Sequence, residues 1–271
     1  MNIPPIGFIG AGQMATALAK GFIGSGLVDP KKVVASDSYD MARRSFTQQT
    51  KAEAKERNAD VVNQSTIIIL AVKPQVLPGV LSEIEPLITG NHLIVSICAG
   101  VPLSAISAGL KGKGRLIRVM PNTPCLVGQG AMAYSMGQNT TTNDGLLIQT
   151  LLQTIGLVYQ VPEKSLDAVT GLSGSGPAFV YMVIEAMADG GVREGLPRPI
   201  ATALAAQCVL GSASMVLKTG EHPGLLKDKV CSPAGTTIEG VAALERNGVR
   251  NAFIQAVHAA TVRSQELGGK K

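Results

Sequence analysis

The chain has 271 residues, 45% hydrophobic, 16% charged and 3% aromatic, with no Trp, enough apolar material for one large domain or two moderate ones. Its net charge of +5 suits anionic ligands. With no dense basic run and few stacking aromatics, nucleic acid is not an expected partner.

Four cysteines and three histidines stand far apart, without C-x-x-C or H-x-x-x-H spacing, so no metal site is expected. No uninterrupted apolar run reaches the roughly 18 residues of a membrane span. The start Met1-Asn-Ile-Pro-Pro lacks the basic segment of a leader. The expectation is a soluble, cytoplasmic chain with reduced thiols and no membrane partner.

Short apolar β-type runs lie at Ile6–Ile9, Val33–Ser36, 66–72, 92–97, 115–119, 131–135 and 157–161. Helical patterns at 13–23, 41–50, 75–88 and 103–110 separate them. Unbroken β-rich runs with crossover helices predict a buried parallel, doubly wound sheet over 1–162. After Pro162 the β-branched runs stop, and Ala-rich helices are predicted at 175–189, 198–218 and Val249–Leu267. The fold class is therefore α/β: an N-terminal Rossmann-type sheet, then an all-helical domain over 163–271. The stretch 201–211 contains one Gln and no charge. A helix apolar on every side needs burial on every side, which predicts obligate dimerisation through this half.

Gly7-Phe-Ile-Gly10-Ala-Gly12-Gln-Met-Ala15 follows a predicted strand and opens a predicted helix, the context that the dinucleotide fingerprint requires. Gly10 makes the tight turn, Gly12 admits the pyrophosphate, and Ala15 keeps helix and sheet close. Cofactor choice rests on the tip of the second strand. Ser36 with a cation from Arg43 or Arg44 would hold a 2′-phosphate, whereas Asp37 as a tip acid would favour NAD, or serve only as an N-cap. The reading leans to NADPH, with NADH the alternative.

Ala71-Val-Lys-Pro74 and Cys98-Ala-Gly100 end later strands at the edge where such folds bind ligands. Lys73 reads as a turn residue or cofactor contact before a proton donor, and Cys98 as a small buried side chain. Met120, Asn122 and Thr123 are candidates to line the reaction site, although Asn122-Thr-Pro is also a plain turn.

Thr170-Gly-Leu-Ser-Gly-Ser-Gly-Pro-Ala178 suits either an anion seat or a close crossing of two helices. A late loop, Leu226-Lys-Asp-Lys-Val-Cys-Ser-Pro-Ala-Gly-Thr-Thr-Ile238, carries hydroxyls and backbone N–H groups where a helix begins, which fits a small anion. No nucleophile elbow appears, and no His is close in sequence to either loop. Such a site suits reduction of an already protonated imine better than strong acid–base chemistry.

These segments, with Val230-Cys-Ser-Pro-Ala-Gly-Thr-Thr-Ile-Glu-Gly-Val the most specific, resemble the pyrroline-5-carboxylate reductase family. The departure from its pattern is Ala234, where a second glycine is usual; a small side chain is tolerated there unless the backbone needs a positive φ. The resemblance implies NAD(P)H-dependent reduction of pyrroline-5-carboxylate to proline, with hydride delivered to C5. It also implies a homodimer with interlocked helices, or a pentamer of dimers; because the late loop comes from the helical half, the dimer partner is expected to supply it. Implied cofactor contacts are Gly10, Gly12, Gln13, Met14, Ser36, Asn58, Ala71, Val72, Lys73, Pro74, Cys98, Ala99 and Gly100. By residue type alone Asn58 is a helix N-cap. Implied substrate contacts are Ser232, Gly235, Thr236 and Thr237, beside Met120, with the Thr237 hydroxyl facing the ring nitrogen. The competing readings are a 3-hydroxyacid dehydrogenase, for which Lys218, Lys227 or Lys229 would serve, and a non-catalytic dinucleotide sensor.

Overall fold

The computed structural model describes residues 3–269; Met1 and Asn2, which open the apolar start, lie outside them. Two compact units emerge, one from Met1–Ser175 with Ala259–Lys271, the other from Gly176–His258. Composition changes earlier, at Pro162, because the chain first finishes the sheet unit with a short helical segment.

The first unit runs β1 (Ile6–Ile9), α1 (Gln13–Gly24), β2 (Val33–Ser36), α2 (Asp40–Thr50), β3 (Glu53–Lys55), α3 (Asn58–Gln64), β4 (Ile67–Leu70), α4 (Leu77–Ile84), β5 (Leu93–Ser96) and α5 (Leu103–Gly109). It continues through β6 (Arg115–Met120), β7 (Gly130–Met136), α6 (Thr142–Gln153), β8 (Gly156–Gln160) and α7 (Leu166–Val169). The sheet order is β3-β2-β1-β4-β5-β6-β7-β8. Strands β1, β2, β4 and β5 are buried at every position, as unbroken apolar runs covered on both faces should be. Alternation divides each between two cores. On β4, Ile67 and Ile69 join Phe8, Phe22 and Phe46, while Ile68 and Leu70 join Val61, Leu81 and Ile106 on the other face.

The all-parallel expectation fails at one pair: β7 is antiparallel to β6. Residues 121–129 join them through a 3-10 turn at Thr123–Val127. A parallel return needs about a dozen residues or more, usually with a helix, so the chain turns back. Beside the short helices α3 and α7, two elements of this unit are absent from the pattern of apolar runs, β3 and α6. The first is a short edge strand of Glu, Ala and Lys, poor β-formers. The second does carry a signal, since Thr141 and Asp144 form a reciprocal capping box.

The second unit contains α8 (Gly176–Arg193), α9 (Arg198–Thr219), α10 (Pro223–Val230), α11 (Thr236–Arg246) and the start of α12 (Val249–Leu267). Helices α8 and α9 pack through Ala188, Ala201 and Ala205, with Ile184 and Val192 against them. The rest of α9 leaves Leu204, Leu210, Met215 and Leu217 exposed on the single chain. Its best window has a mean hydropathy of 1.8, and by length and composition the helix could cross a membrane. A criterion of uninterrupted apolar runs passes over this helix, because Thr202, Gln207, Ser212 and Ser214 break the run without lowering the mean enough.

Candidate cofactor and substrate sites

The C-terminal ends of β1, β4, β5 and β6 converge on a cleft of about 290 Å³ lined by Met14, Ala71, Val72, Lys73, Pro74, Ile97, Cys98, Ala99, Met120 and Pro121. A hollow of about 370 Å³ at the opposite ends of the strands, beside Lys31, Lys32 and Lys51, lies on the wrong side for a doubly wound sheet, whose ligands bind outside the carboxyl ends. Thus the residues at 71–74, Cys98, Ala99, Met14 and Met120, scattered in sequence, share one wall.

Gly10 has φ +100°, and a Cβ there would lie 2.6 Å from the Ala71 carbonyl oxygen, so no other residue fits the turn. Gly12 is different. It is the N-cap of α1 with no side-chain cap, and an added Cβ meets nothing within 4 Å. No protein contact requires glycine here, but a phosphate approaching the uncapped helix start would occupy the space a Cβ needs. The residues therefore fit a dinucleotide, with Gln13 and Met14 offering first-turn N–H groups.

At the tip of β2, Ser36 is fully buried and donates its hydroxyl to Asn58 Oδ1 over 2.8 Å. Asn58 in turn donates to Glu83 Oε2 at 2.7 Å. The N-cap of α3 is Arg57, so the N-cap role read from residue type is corrected: Asn58 is the first helical residue, and its amide bridges β2 and α4. Asp37 does not cap α2. Its Oδ2 accepts from Ala11 N at 3.0 Å and its Oδ1 from Tyr39 N at 2.9 Å, tying the glycine turn to the second strand. Arg43 donates to the Asp37 and Ser38 carbonyls, which keeps a guanidinium beside the strand tip.

The Cys98 thiol lies against the Leu70 and Val72 carbonyls, and burial pushes its pKa up, the wrong direction for a nucleophile. Asn122 turns away from reaction chemistry: its Nδ2 donates to the Ser173 carbonyl and its Oδ1 accepts from Ala131 N. The segment Thr170–Gly174 is a π-helical turn. Ser175 N is bonded to the Thr170 carbonyl, and a Cβ on Gly174 would lie 2.6 Å from Met120 Cε. The close approach that Gly174 allows is to Met120 of β6, not a crossing of two helices.

The late loop lies within the second unit and is shorter than the sequence suggests: 226–230 belong to α10 and 236–238 to α11, leaving only 231–235 between the helices. Gly235 is the N-cap of α11, which has no side-chain cap. A Cβ on Gly235 would lie 2.3 Å from Ser232 Oγ and 3.1 Å from the Ser232 carbonyl oxygen, so a larger residue there would push the serine hydroxyl aside. Thr236 and Thr237 open the helix, Thr237 half-buried and Ser232 exposed. An uncapped helix start flanked by three hydroxyls favours a carboxylate. Ala234 carries φ +54°, so the departure from the family pattern falls on a left-handed residue. His222 accepts from Gly224 N through Nδ1 and caps α10. Among the described residues there is no cluster suited to a metal ion.

A doubly wound sheet with this glycine turn and a ligand cleft at its strand ends defines a dinucleotide-dependent oxidoreductase. Residues 163–267 match the pyrroline-5-carboxylate reductase dimerisation family, and residues 5–100 match the family described as NADP oxidoreductase, coenzyme F420-dependent. A pyrroline-5-carboxylate reductase of Methanosarcina acetivorans is 50% identical over 100% of both chains. One of Glycine max is 48% identical over 97% of this chain and 95% of its own. The crystal structure of a Plasmodium falciparum pyrroline carboxylate reductase with NADP bound matches with TM-score 0.89 and 32% identity, over 99% of each chain. The chain belongs to the pyrroline-5-carboxylate reductase family.

Proposed function

We propose that the protein reduces 1-pyrroline-5-carboxylate to proline with NADPH, and that the late loop at the start of α11 receives the substrate carboxylate. The observation that carries this is family membership across the whole chain, together with an intact loop of Ser232, Gly235, Thr236 and Thr237 at an uncapped helix start. Bound NADPH supplies the hydride that goes to C5 of the C=N bond. Gly10, Gly12, Gln13 and Met14 hold the pyrophosphate. At the tip of β2, Asn58, oriented by the buried Ser36 hydroxyl, and Arg43 alongside receive the 2′-phosphate. The segments at 71–74 and 98–100, with Met120, shape the nicotinamide pocket. Backbone N–H groups of the late loop orient the carboxylate, and the Thr237 hydroxyl hydrogen-bonds the ring nitrogen, whose electron pair is left by the broken π bond. An iminium enters already protonated, so no strong acid is required at the nitrogen.

The dimerisation domain makes the protein an oligomer, and we propose a homodimer, assembled further as a pentamer of dimers. The apolar faces of α9 are then covered by a second copy instead of lipid, and the partner subunit supplies the late loop to the reaction. Four widely spaced free cysteines support a reducing compartment, and we assign the cytoplasm. Purified protein given NADPH and pyrroline-5-carboxylate is expected to oxidise the cofactor and form an equal amount of proline. Absence of turnover under these conditions overturns the reading.

A further inference from the structure

The last turn of α12 belongs to the sheet unit and lies on the loop that succeeds β5. Gly100 has φ +74°, and a Cβ there would stand 3.2 Å from Leu267 Cβ. A Cβ on Gly268 would stand 2.9 Å from the Gly100 carbonyl oxygen. Two glycines thus let the end of the chain close over the loop, and Gly100 is buried as a result.

One turn earlier, Ser264, itself 4% exposed, donates to Asp167 Oδ1 over 2.9 Å. Asp167 faces the guanidinium of Arg118 at 4.0 Å, and Arg118 also reaches Glu163 Oε1 at 3.5 Å. The same Glu163 oxygen accepts from Leu103 N at 2.6 Å, just beyond the 98–100 loop. Arg118 is 3% exposed and lies two residues before Met120 on β6. A buried cation with two carboxylates around it is costly to disturb. The cluster therefore fixes the end of β6, the start of α5 and the last turn of α12 as one body.

We propose that Ser264 is a positioning residue: through Asp167 and Arg118 it holds the final turn of α12 on Gly100, and so keeps the 98–100 loop in the shape that accepts the nicotinamide end of the cofactor. The inference rests on the NADPH reading of the proposed function, yet none of these side chains touches cofactor or substrate in the roles assigned there. Small displacements of a loop that seats a reacting ring weaken productive binding steeply.

The test is calorimetric titration of wild type, Ser264→Ala, and a chain ending at Glu266, each with NADPH and with 2′-phospho-ADP-ribose, which lacks the nicotinamide. The truncation removes the exposed Leu267 and the residues after it, so it leaves the buried cluster intact should Ser264→Ala fail to fold. Both variants are expected to bind NADPH about five- to tenfold more weakly and 2′-phospho-ADP-ribose as wild type does. Unchanged NADPH affinity, or equal weakening toward both ligands, overturns the proposal. Because binding is read without turnover, a wild type that binds NADPH but reduces no pyrroline-5-carboxylate fails the reading of function alone.

Discussion

Ser36 at the end of β2 and Asn58 at the start of α3 share a 2.8 Å hydrogen bond in which the serine donates. The asparagine amide in turn donates to Glu83 Oε2 at 2.7 Å, so the pair ties the tip of β2 to α3 and α4. In the proposed cofactor site the fully buried Ser36 hydroxyl therefore acts by setting the orientation of Asn58.

Ser36→Ala should therefore weaken NADPH more than NADH. The bond removed is to a neutral amide, worth about 0.5–1.5 kcal/mol, or roughly two- to tenfold in affinity. The KM for each cofactor, measured at saturating substrate, checks this. Equal loss with both cofactors would mean that the pair only splints β2 to α3.

Ala234 offers a stability test. A left-handed backbone at a residue with a Cβ costs about 1–2 kcal/mol, whereas glycine's extra freedom in the unfolded chain returns about 0.4–1 kcal/mol of that. Ala234→Gly is expected to raise unfolding free energy by roughly 0.5–1 kcal/mol. Ala234→Val should lower it and slow turnover, because a β-branched residue resists φ +54°. Urea unfolding of the three proteins at one concentration decides the sign.

For Thr237 the expected effect is on turnover. Removing one preorganised hydrogen-bond partner of a reacting atom costs about 10²–10³ in kcat. Thr237→Ala should fall near the lower end of that range, since water can replace part of the hydroxyl's role, while the KM for NADPH stays put. Thr237→Ser should recover most of the loss. Undiminished kcat in Thr237→Ala would remove the hydroxyl from the mechanism.

Helix α9 gives a test of assembly. Leu204 is 57% exposed on the single chain, so a charge there leaves the α8–α9 contact at Ala201 and Ala205 untouched. Leu204→Glu should fold, run as a monomer by light scattering, and lose activity. An active monomer would contradict a late loop supplied by the partner subunit.

What a single sequence determines here is local. Gly10 and Gly12 between an apolar run and a helix, fully apolar strands, and a hydroxyl-rich loop ahead of α11 are set by neighbours a few residues away, and the pattern of one segment suffices to read them. The relationships that build the site are long-range. Ser36 meets Asn58, Asp37 meets the Ala11 N–H, β7 reverses against β6, and Gly100 meets Leu267. Each depends on how sheet order and packing bring distant residues together, and no residue's own neighbours carry that information. Ala234 falls between the two cases: its identity is legible as a departure, but its φ of +54° is imposed by the fold of the loop around Gly235 and Ser232.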